Sequence, residues 1–454
     1  MKAVKRLLAP VLAPVFALVL AVALGLPATA GAVDIRTVTT PLGIKAWLVQ
    51  DKSAPVVSLA FSFGAGTATE PEGQSGVTSL MAALLTDGAG PLDAQAYRQR
   101  QEDAAASVNF GASLDRLGGS LRVLSANRDE GFELLRLALT QPRFDPARID
   151  QRRAQTIAGL NQANQRPNAV AARTMMETEF AGHPYARDPE GTADDLRRIT
   201  QENLRQRAAT LLVRTGLTVA AVGDIDEAEL ARQLDRVFGG LPVGAAPALP
   251  PEWKPPVKAR TVVVERPVPQ STALVALPGI ARDDPDWYAA TILNHVLGGG
   301  GQQSRLFTEV REKRGLAYGA SSSLRVYRRA ALLVISTASA NERVAEALRV
   351  VRAELARLRT EGPTEQEFAD AKTYLAGALS LSLDSSGAVA NLLHSMQVDN
   401  LGPDHLARRA ALIAAVKPED VRRVARRLLR DDVATTVVVG KPVGITPDPR
   451  EAGP

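Results

Sequence analysis

A short string recurs almost half a chain away from itself. Ser125-Ala126-Asn127 precedes a helix-like run, and Ser339-Ala340-Asn341 does the same 214 residues later. Asp145–Ile149 (DPARI) and Thr364–Phe368 (TEQEF) each open a long helical pattern, 219 residues apart. Asn168-Ala169-Val170-Ala171 and Gly387-Ala388-Val389-Ala390 are separated by the same 219. Three near-equal offsets in one order point to two copies of one unit of roughly 200 residues. Between the copies, Gly239–Pro256 (GGLPVGAAPALPPEWKPP) is rich in proline and glycine and reads as a semi-extended linker.

Within the units, β-branched and aromatic runs alternate with helix-period stretches. Ile44–Leu48, Val56–Phe63, Leu121–Leu124, Thr218–Val222, Thr261–Val264 and Thr272–Leu277 read as strands. Val77, Leu80, Met81, Leu84 and Leu85 recur at helical spacing, and longer helical patterns fill 146–166 and 168–180. The expected class is α+β with two tandem homologous domains. The expected bounds are 1–32 for a leader, 33–240 and 259–446 for the two domains, 241–258 for the linker and 447–454 for a tail.

The leader reading rests on Lys2, Lys5 and Arg6, an apolar stretch from Leu7 to Leu26, and the small residues Ala28 to Ala32. This is the pattern of a secretory signal with an A-x-A cleavage site, and it predicts an exported, periplasmic protein. An uncleaved anchor is the alternative; Pro10, Pro14, Pro27 and the cleavage site favour removal. Loss of the leader lowers the net charge from +5 to +2, leaving no basic excess that calls for nucleic acid. No second spanning segment follows, so no membrane contact is expected after cleavage.

Composition removes several chemistries. With no cysteine, the chain has no disulfide, thiolate zinc site or cysteine nucleophile. There are four histidines, His183, His295, His394 and His405, and the closest pair is 11 residues apart. His183 beside a turn is expected to pack or cap, His295 and His394 to lie in apolar helices, and His405 at the surface near a helix start. Arg422, Arg423, Arg426, Arg427 and Arg430 recur at helical spacing and read as a solvated face. No G-x-S-x-G elbow anchors a serine hydrolase reading.

The second copy contains a more specific string. A glycine run, Gly298 to Gly301, precedes Ser304-Arg305-Leu306-Phe307 and then Glu309-Val310-Arg311-Glu312-Lys313-Arg314-Gly315-Leu316-Ala317-Tyr318. The first copy contains His183-Pro184-Tyr185 followed by Gly191, Val222-Gly223-Asp224, and Gly76 opening a helix after a strand. Together these resemble the pitrilysin/insulinase peptidases, which include the mitochondrial processing peptidases, over nearly the whole mature chain. The resemblance implies mostly antiparallel sheets packed with helices, the two domains forming half of a clam-shell that admits unfolded peptides. It also matches Val56–Phe63 to the family's edge-strand region, where an extended peptide adds main-chain hydrogen bonds.

Active members carry H-x-x-E-H on a first-domain helix. Histidines four apart share one helical face and reach one ion, while the glutamate between them polarises the bound water. Aligned on Gly76, the histidine positions here hold Ser79 and Ala83, and the glutamate position holds Ala82. The later ligand position, aligned on Arg166-Pro167, falls on Gly159. The resemblance thus implies no zinc in this chain. It does imply a role for Arg311 and Tyr318, seven residues apart, as the arginine–tyrosine pair that approaches the scissile peptide. The combination resembles the non-zinc subunit of heterodimeric family members: a partner with H-x-x-E-H supplies zinc, and this chain supplies carbonyl stabilisation in trans. The alternative is a structural or peptide-binding pseudo-peptidase with no part in catalysis. The glycine run is either a flexible substrate-touching loop or a helix end and connection.

Overall fold

The computed structural model describes residues 34–379 and 383–449. The expected leader and residues 450–454 of the expected tail lie outside the described residues. The first half carries strands β1 (Arg36–Thr39), β2 (Lys45–Gln50), β3 (Val56–Phe63), β4 (Gly88–Ala89), β5 (Leu92–Asp93), β6 (Ser107–Ala112), β7 (Leu117–Leu124) and β8 (Thr218–Gly223). Its helices are α1 (Val77–Leu84), α2 (Ala94–Asp103), α3 (Arg128–Thr140), α4 (Pro146–Ala163), α5 (Pro167–Glu179), α6 (Ala193–Arg198), α7 (Gln201–Leu211) and α8 (Glu227–Phe238). The second half carries β9 (Arg260–Glu265), β10 (Gln270–Pro278), β11 (Ala317–Val326), β12 (Ala331–Ala340) and β13 (Thr435–Gly440). Its helices are α9 (Trp287–Asn294), α10 (Val344–Glu361), α11 (Glu365–Gly377), α12 (Ser386–Val398), α13 (His405–Ala415) and α14 (Pro418–Leu428).

The duplication is written in the strand order. The first sheet runs β1-β2-β8-β3-β7-β6 and the second β11-β12-β10-β13-β9. Read backwards, the second order repeats the first without β1. In both sheets one pair is parallel, β2 with β8 and β9 with β13, and the remaining neighbours are antiparallel. Each sheet packs one face on its own helices. Leu59, Phe61, Leu80, Phe132 and Leu234 share the first core, and Val275, Leu293, Leu348 and Val424 share the second.

The opposite faces are covered by exchange. Helix α5, from the first half, lies on β10 and β13, with Val170, Ala171 and Met175 against Leu274, Val437 and Val439. Helix α12, from the second half, lies on β3 and β8, with Ala390 and Leu393 against Ala60, Ala220 and Val222. These are the two helices that contain Asn168–Ala171 and Gly387–Ala390. Both faces of each sheet are therefore buried, so a central strand reads as a nearly unbroken apolar run.

Strand β3 is such a strand. It sits between β7 and β8, and residues 57–63 are all buried. The expectation that Val56–Phe63 forms a sheet edge is corrected: the edges of this sheet are β1 and β6. Burial of both faces makes the run continuous; the edge expectation came from the resemblance, not from the run itself.

Residues 241–258 form no helix or strand, yet they are pinned. Trp253 donates its indole N–H to the Glu179 carbonyl at 3.1 Å and its backbone N–H to the Arg329 carbonyl at 3.0 Å. Its ring lies 5.3 Å from that of Phe180.

Candidate functional site

Helix α1 is set by what precedes it. Gly76 has φ +90°, and a Cβ there would lie 2.5 Å from the Glu190 carbonyl oxygen, so no side chain fits. The buried Glu70 carboxylate accepts the N–H groups of Gly76 at 2.9 Å and Thr78 at 2.8 Å, satisfying donors at the start of the helix. Buried Arg207 donates to the Thr78 hydroxyl at 2.9 Å and to the carbonyls of Gly66 and Thr69 at 2.8 and 3.0 Å. Burial raises the Glu70 carboxyl above its usual range against the pull of those donors and of Arg207. Burial also pushes the Arg207 guanidinium down to about 10, so it keeps its charge at neutral pH.

On this fixed helix, Ser79 and Ala83 lie one turn apart and are both half-buried, while Ala82 is buried. The Ser79 hydroxyl donates to the Pro189 carbonyl at 2.7 Å. Helix α4 packs against α1, and Gly159 on it is exposed, with no atom within 4 Å of the place a Cβ would occupy. One hydroxyl already engaged with a carbonyl, two methyl groups and a glycine supply no zinc ligand set. Among the described residues, no group of three or more His, Cys, Asp or Glu side chains is placed to hold a metal ion. These residues do not fit zinc.

The second-half motif divides into anchors and outward groups. Arg305, 7% exposed, makes a two-pronged ion pair with Glu367, both contacts at 2.6 Å. Glu309 accepts from Lys313 at 2.7 Å and Arg314 at 2.6 Å, hydrogen bonds that hold its carboxyl below the usual range. Leu306, Val310 and Leu316 are buried. Arg311 and Tyr318 are different. Arg311 is exposed on a π-helical turn, Phe307–Glu312, with its guanidinium carbon 4.9 Å over the Phe307 ring. Tyr318 is 82% exposed on edge strand β11. It sits in a bulge, because the register against β12 slips between Ala317 and Ala320. No hydrogen bond, ion pair or ring contact among the described residues joins Arg311 or Tyr318 to Ser79, Ala82, Ala83 or Gly159.

The glycine run is a helix end. Helix α9 continues into a π-helical turn, His295–Gly299, and a Cβ on Gly298 would lie 2.4 Å from the Ser322 backbone nitrogen. Of the histidines, His183 caps a short turn by accepting the Tyr185 N–H at 3.1 Å. His295 stacks on Tyr374, and His405 opens α13 half-buried, bonded to the Tyr288 hydroxyl at 2.9 Å. His394 sits at the seam between the halves, 2.8 Å from the Ser62 hydroxyl.

A second seam lies between α4, α5 and the β11–β12 turn. Asp115 accepts the Tyr185 hydroxyl and the Arg328 backbone N–H, and Tyr185 in turn accepts the Arg329 N–H. Beside it is a cavity of about 620 Å³ that includes Gly159, Met176 and Tyr327 in its lining. The Glu70–Arg207 cap and the Asp115–Tyr185 latch were not legible in the sequence, because each joins residues at least 70 positions apart.

Residues 45–193 match the model of the insulinase peptidases, family M16, and residues 198–375 match that of the M16 inactive domain. The chain belongs to the M16 family. An uncharacterized zinc protease of Streptomyces coelicolor is 27% identical to this M16 chain over 423 residues, 88% of each. A non-peptidase homolog of Helicobacter pylori is 26% identical, over 71% of this chain and 75% of that one. The crystal structure of an M16 inactive domain from Pseudomonas fluorescens superposes with a TM-score of 0.86 at 29% identity, over 91% of this chain and 99% of that one. The M16 fold is thus present with a helix that cannot ligate zinc and a second-half motif that directs two polar side chains outward.

Proposed function

We propose that this chain is the metal-free subunit of a periplasmic M16 zinc peptidase, paired with a zinc-bearing H-x-x-E-H homologue that acts on unfolded peptides. The supporting observation is the division within the second-half motif. Its buried members pair or pack, whereas Arg311 and Tyr318 face solvent, and among the described residues their side chains meet no hydrogen-bonding, ionic or ring partner beyond Phe307. Bulges commonly re-aim a side chain at a site. In this role the Arg311 guanidinium and the Tyr318 hydroxyl donate hydrogen bonds to the scissile carbonyl oxygen as negative charge develops on it. Each such donor contributes about 2.7–4 kcal/mol to the transition state. The leader pattern of residues 1–32 supports the export in this reading.

The test is peptide hydrolysis by this chain, by a zinc-bearing M16 homologue, and by the two mixed. Activity that needs both, and that falls with Arg311→Ala or Tyr318→Phe while the two chains still associate, supports the proposal. Joint activity indifferent to both substitutions favours a second reading, a peptide-binding pseudo-peptidase. The Helicobacter pylori relative, a non-peptidase homolog, supports that reading.

A further inference from the structure

The cavity beside Gly159 has the size of a small-ligand site, about 620 Å³ against a usual span of roughly 300–1,000 Å³. Leu114, Leu160, Met176 and Tyr327 supply apolar wall. Arg166, Arg187 and Arg325 also line it; Arg187 gives one donor to the Glu70 carbonyl at 2.9 Å and Arg325 meets the Tyr327 hydroxyl, but none has a carboxylate partner among the described residues. Arg173 and Asp188, 2.9 Å apart, neutralise each other, which leaves Glu190 as the one acidic group in the lining not already paired. The cavity thus combines an apolar wall with an excess of cationic groups. Guanidinium groups recognise carboxylates through paired hydrogen bonds, most strongly where water is partly excluded.

We propose that this cavity binds the C-terminal residue of a peptide, with its apolar side chain against the wall and its free carboxylate on the arginines. A C-terminal residue carries an apolar group and a carboxylate on the same Cα, matching both features at once. An internal aspartate or glutamate offers the charge without the apolar bulk. An amidated terminus offers the bulk without the charge. Gly159 leaves the wall open: a Cβ at this position would have no neighbouring atom within 4 Å. The inference goes beyond the paired-peptidase reading and does not depend on it, because it concerns binding by the single chain.

The experiment uses the full chain without any partner and a fluorescein-labelled peptide, Ala-Ala-Ala-Ala-Leu, as free acid and as C-terminal amide, read by anisotropy. The acid is expected to bind at least tenfold tighter than the amide. Gly159→Leu is expected to weaken acid binding at least tenfold without lowering the melting temperature. Arg325→Gln is expected to narrow the gap between acid and amide. Equal affinity for acid and amide, or binding unchanged in both variants, overturns the proposal. So does displacement of the peptide by octanoate at equal affinity, which would assign the cavity to a free aliphatic acid. Hydrolysis enters none of these readings, so their failure leaves the roles of Arg311 and Tyr318 untouched.

Discussion

Arg305 and Glu367 tie the helical segment that leads to Arg311 to the first turn of α11. The guanidinium Nε and Nη2 each lie 2.6 Å from a carboxylate oxygen, and Nη2 also reaches the Gly362 carbonyl at 3.3 Å. The same carboxylate caps α11 by accepting the Thr364 N–H at 2.8 Å. Burial opposes ionisation of Glu367, yet the Arg305 hydrogen bonds hold its carboxyl below the usual range. Arg305→Ala leaves the half-buried Glu367 without its guanidinium, while Glu354, 3.9 Å from Arg305, keeps Arg357 at 3.0 Å; breaking a buried pair from one side costs up to about 3–5 kcal/mol. The expected result is a clear fall in the urea midpoint, with Arg305→Lys intermediate because an ammonium cannot bridge both oxygens. A midpoint unchanged in Arg305→Ala would show that the pair contributes nothing net.

Arg311 and Tyr318 should behave in the opposite way. Both are exposed, so Arg311→Ala and Tyr318→Phe are expected to change stability by no more than about 0.5 kcal/mol. If they stabilise the reacting carbonyl, each substitution lowers joint turnover with a zinc-bearing partner by about 100- to 1,000-fold. Paired measurement of melting temperature and turnover separates the two effects. A stability loss that accounts for the activity loss would return both residues to a structural role.

The sequence repeat located the paired helices well, and the structure begins α4 at Pro146 and α11 at Glu365, the expected 219 apart. It did not reveal that α5 and α12 exchange sheets. Val170 and Ala171 mark an apolar helix face, but a face carries no address for its partner. The run Val56–Phe63 held a usable signal, since residues buried on both sides read continuously rather than alternately. Resemblance to an edge region outweighed that signal. Edge strand β6, Ser107–Ala112, mixes polar and small residues and gave little periodicity. Arg207 was unreadable for another reason: a lone arginine in a polar helix normally faces water, and only the fold delivers it to Gly66, Thr69 and Thr78.

Two glycines should respond with opposite signs. At Gly159, exposed in the interior of α4 with open space around the missing Cβ, alanine is expected to stabilise by about 0.5–1 kcal/mol through helix propensity. At Gly76, φ is +90° and the added Cβ would sit 2.5 Å from the Glu190 carbonyl oxygen. Alanine there must displace the Glu190–Gly191 backbone or distort the start of α1, and a loss of about 2 kcal/mol or more is expected. Thermal unfolding of the two single variants against the parent checks both signs. A neutral Gly76→Ala would mean the approach of α1 to Glu190 relaxes freely.

His394 is expected to make the seam between the halves sensitive to acid. It is carried by α12 onto β3, where Nε2 lies 2.8 Å from the Ser62 hydroxyl. Arg116, Arg282 and Asp399 line the same hollow. Burial, reinforced by Arg116, pushes its pKa down from 6.5 to about 4. The unfolded chain therefore binds a proton near pH 6.5 that the folded chain refuses until about pH 4. The unfolded state holds more protons across that window, so stability falls as pH drops from 6.5 to 4 and changes no further from this group below it. The shift corresponds to a loss of about 3 kcal/mol at most. His394→Gln keeps a hydrogen-bonding group near Ser62 but cannot titrate. Melting temperatures at pH 7, 5.5 and 4.5 should converge for the variant relative to the parent, which retains the steeper acid slope. Parallel slopes for the two proteins would remove His394 as the source of the acid sensitivity.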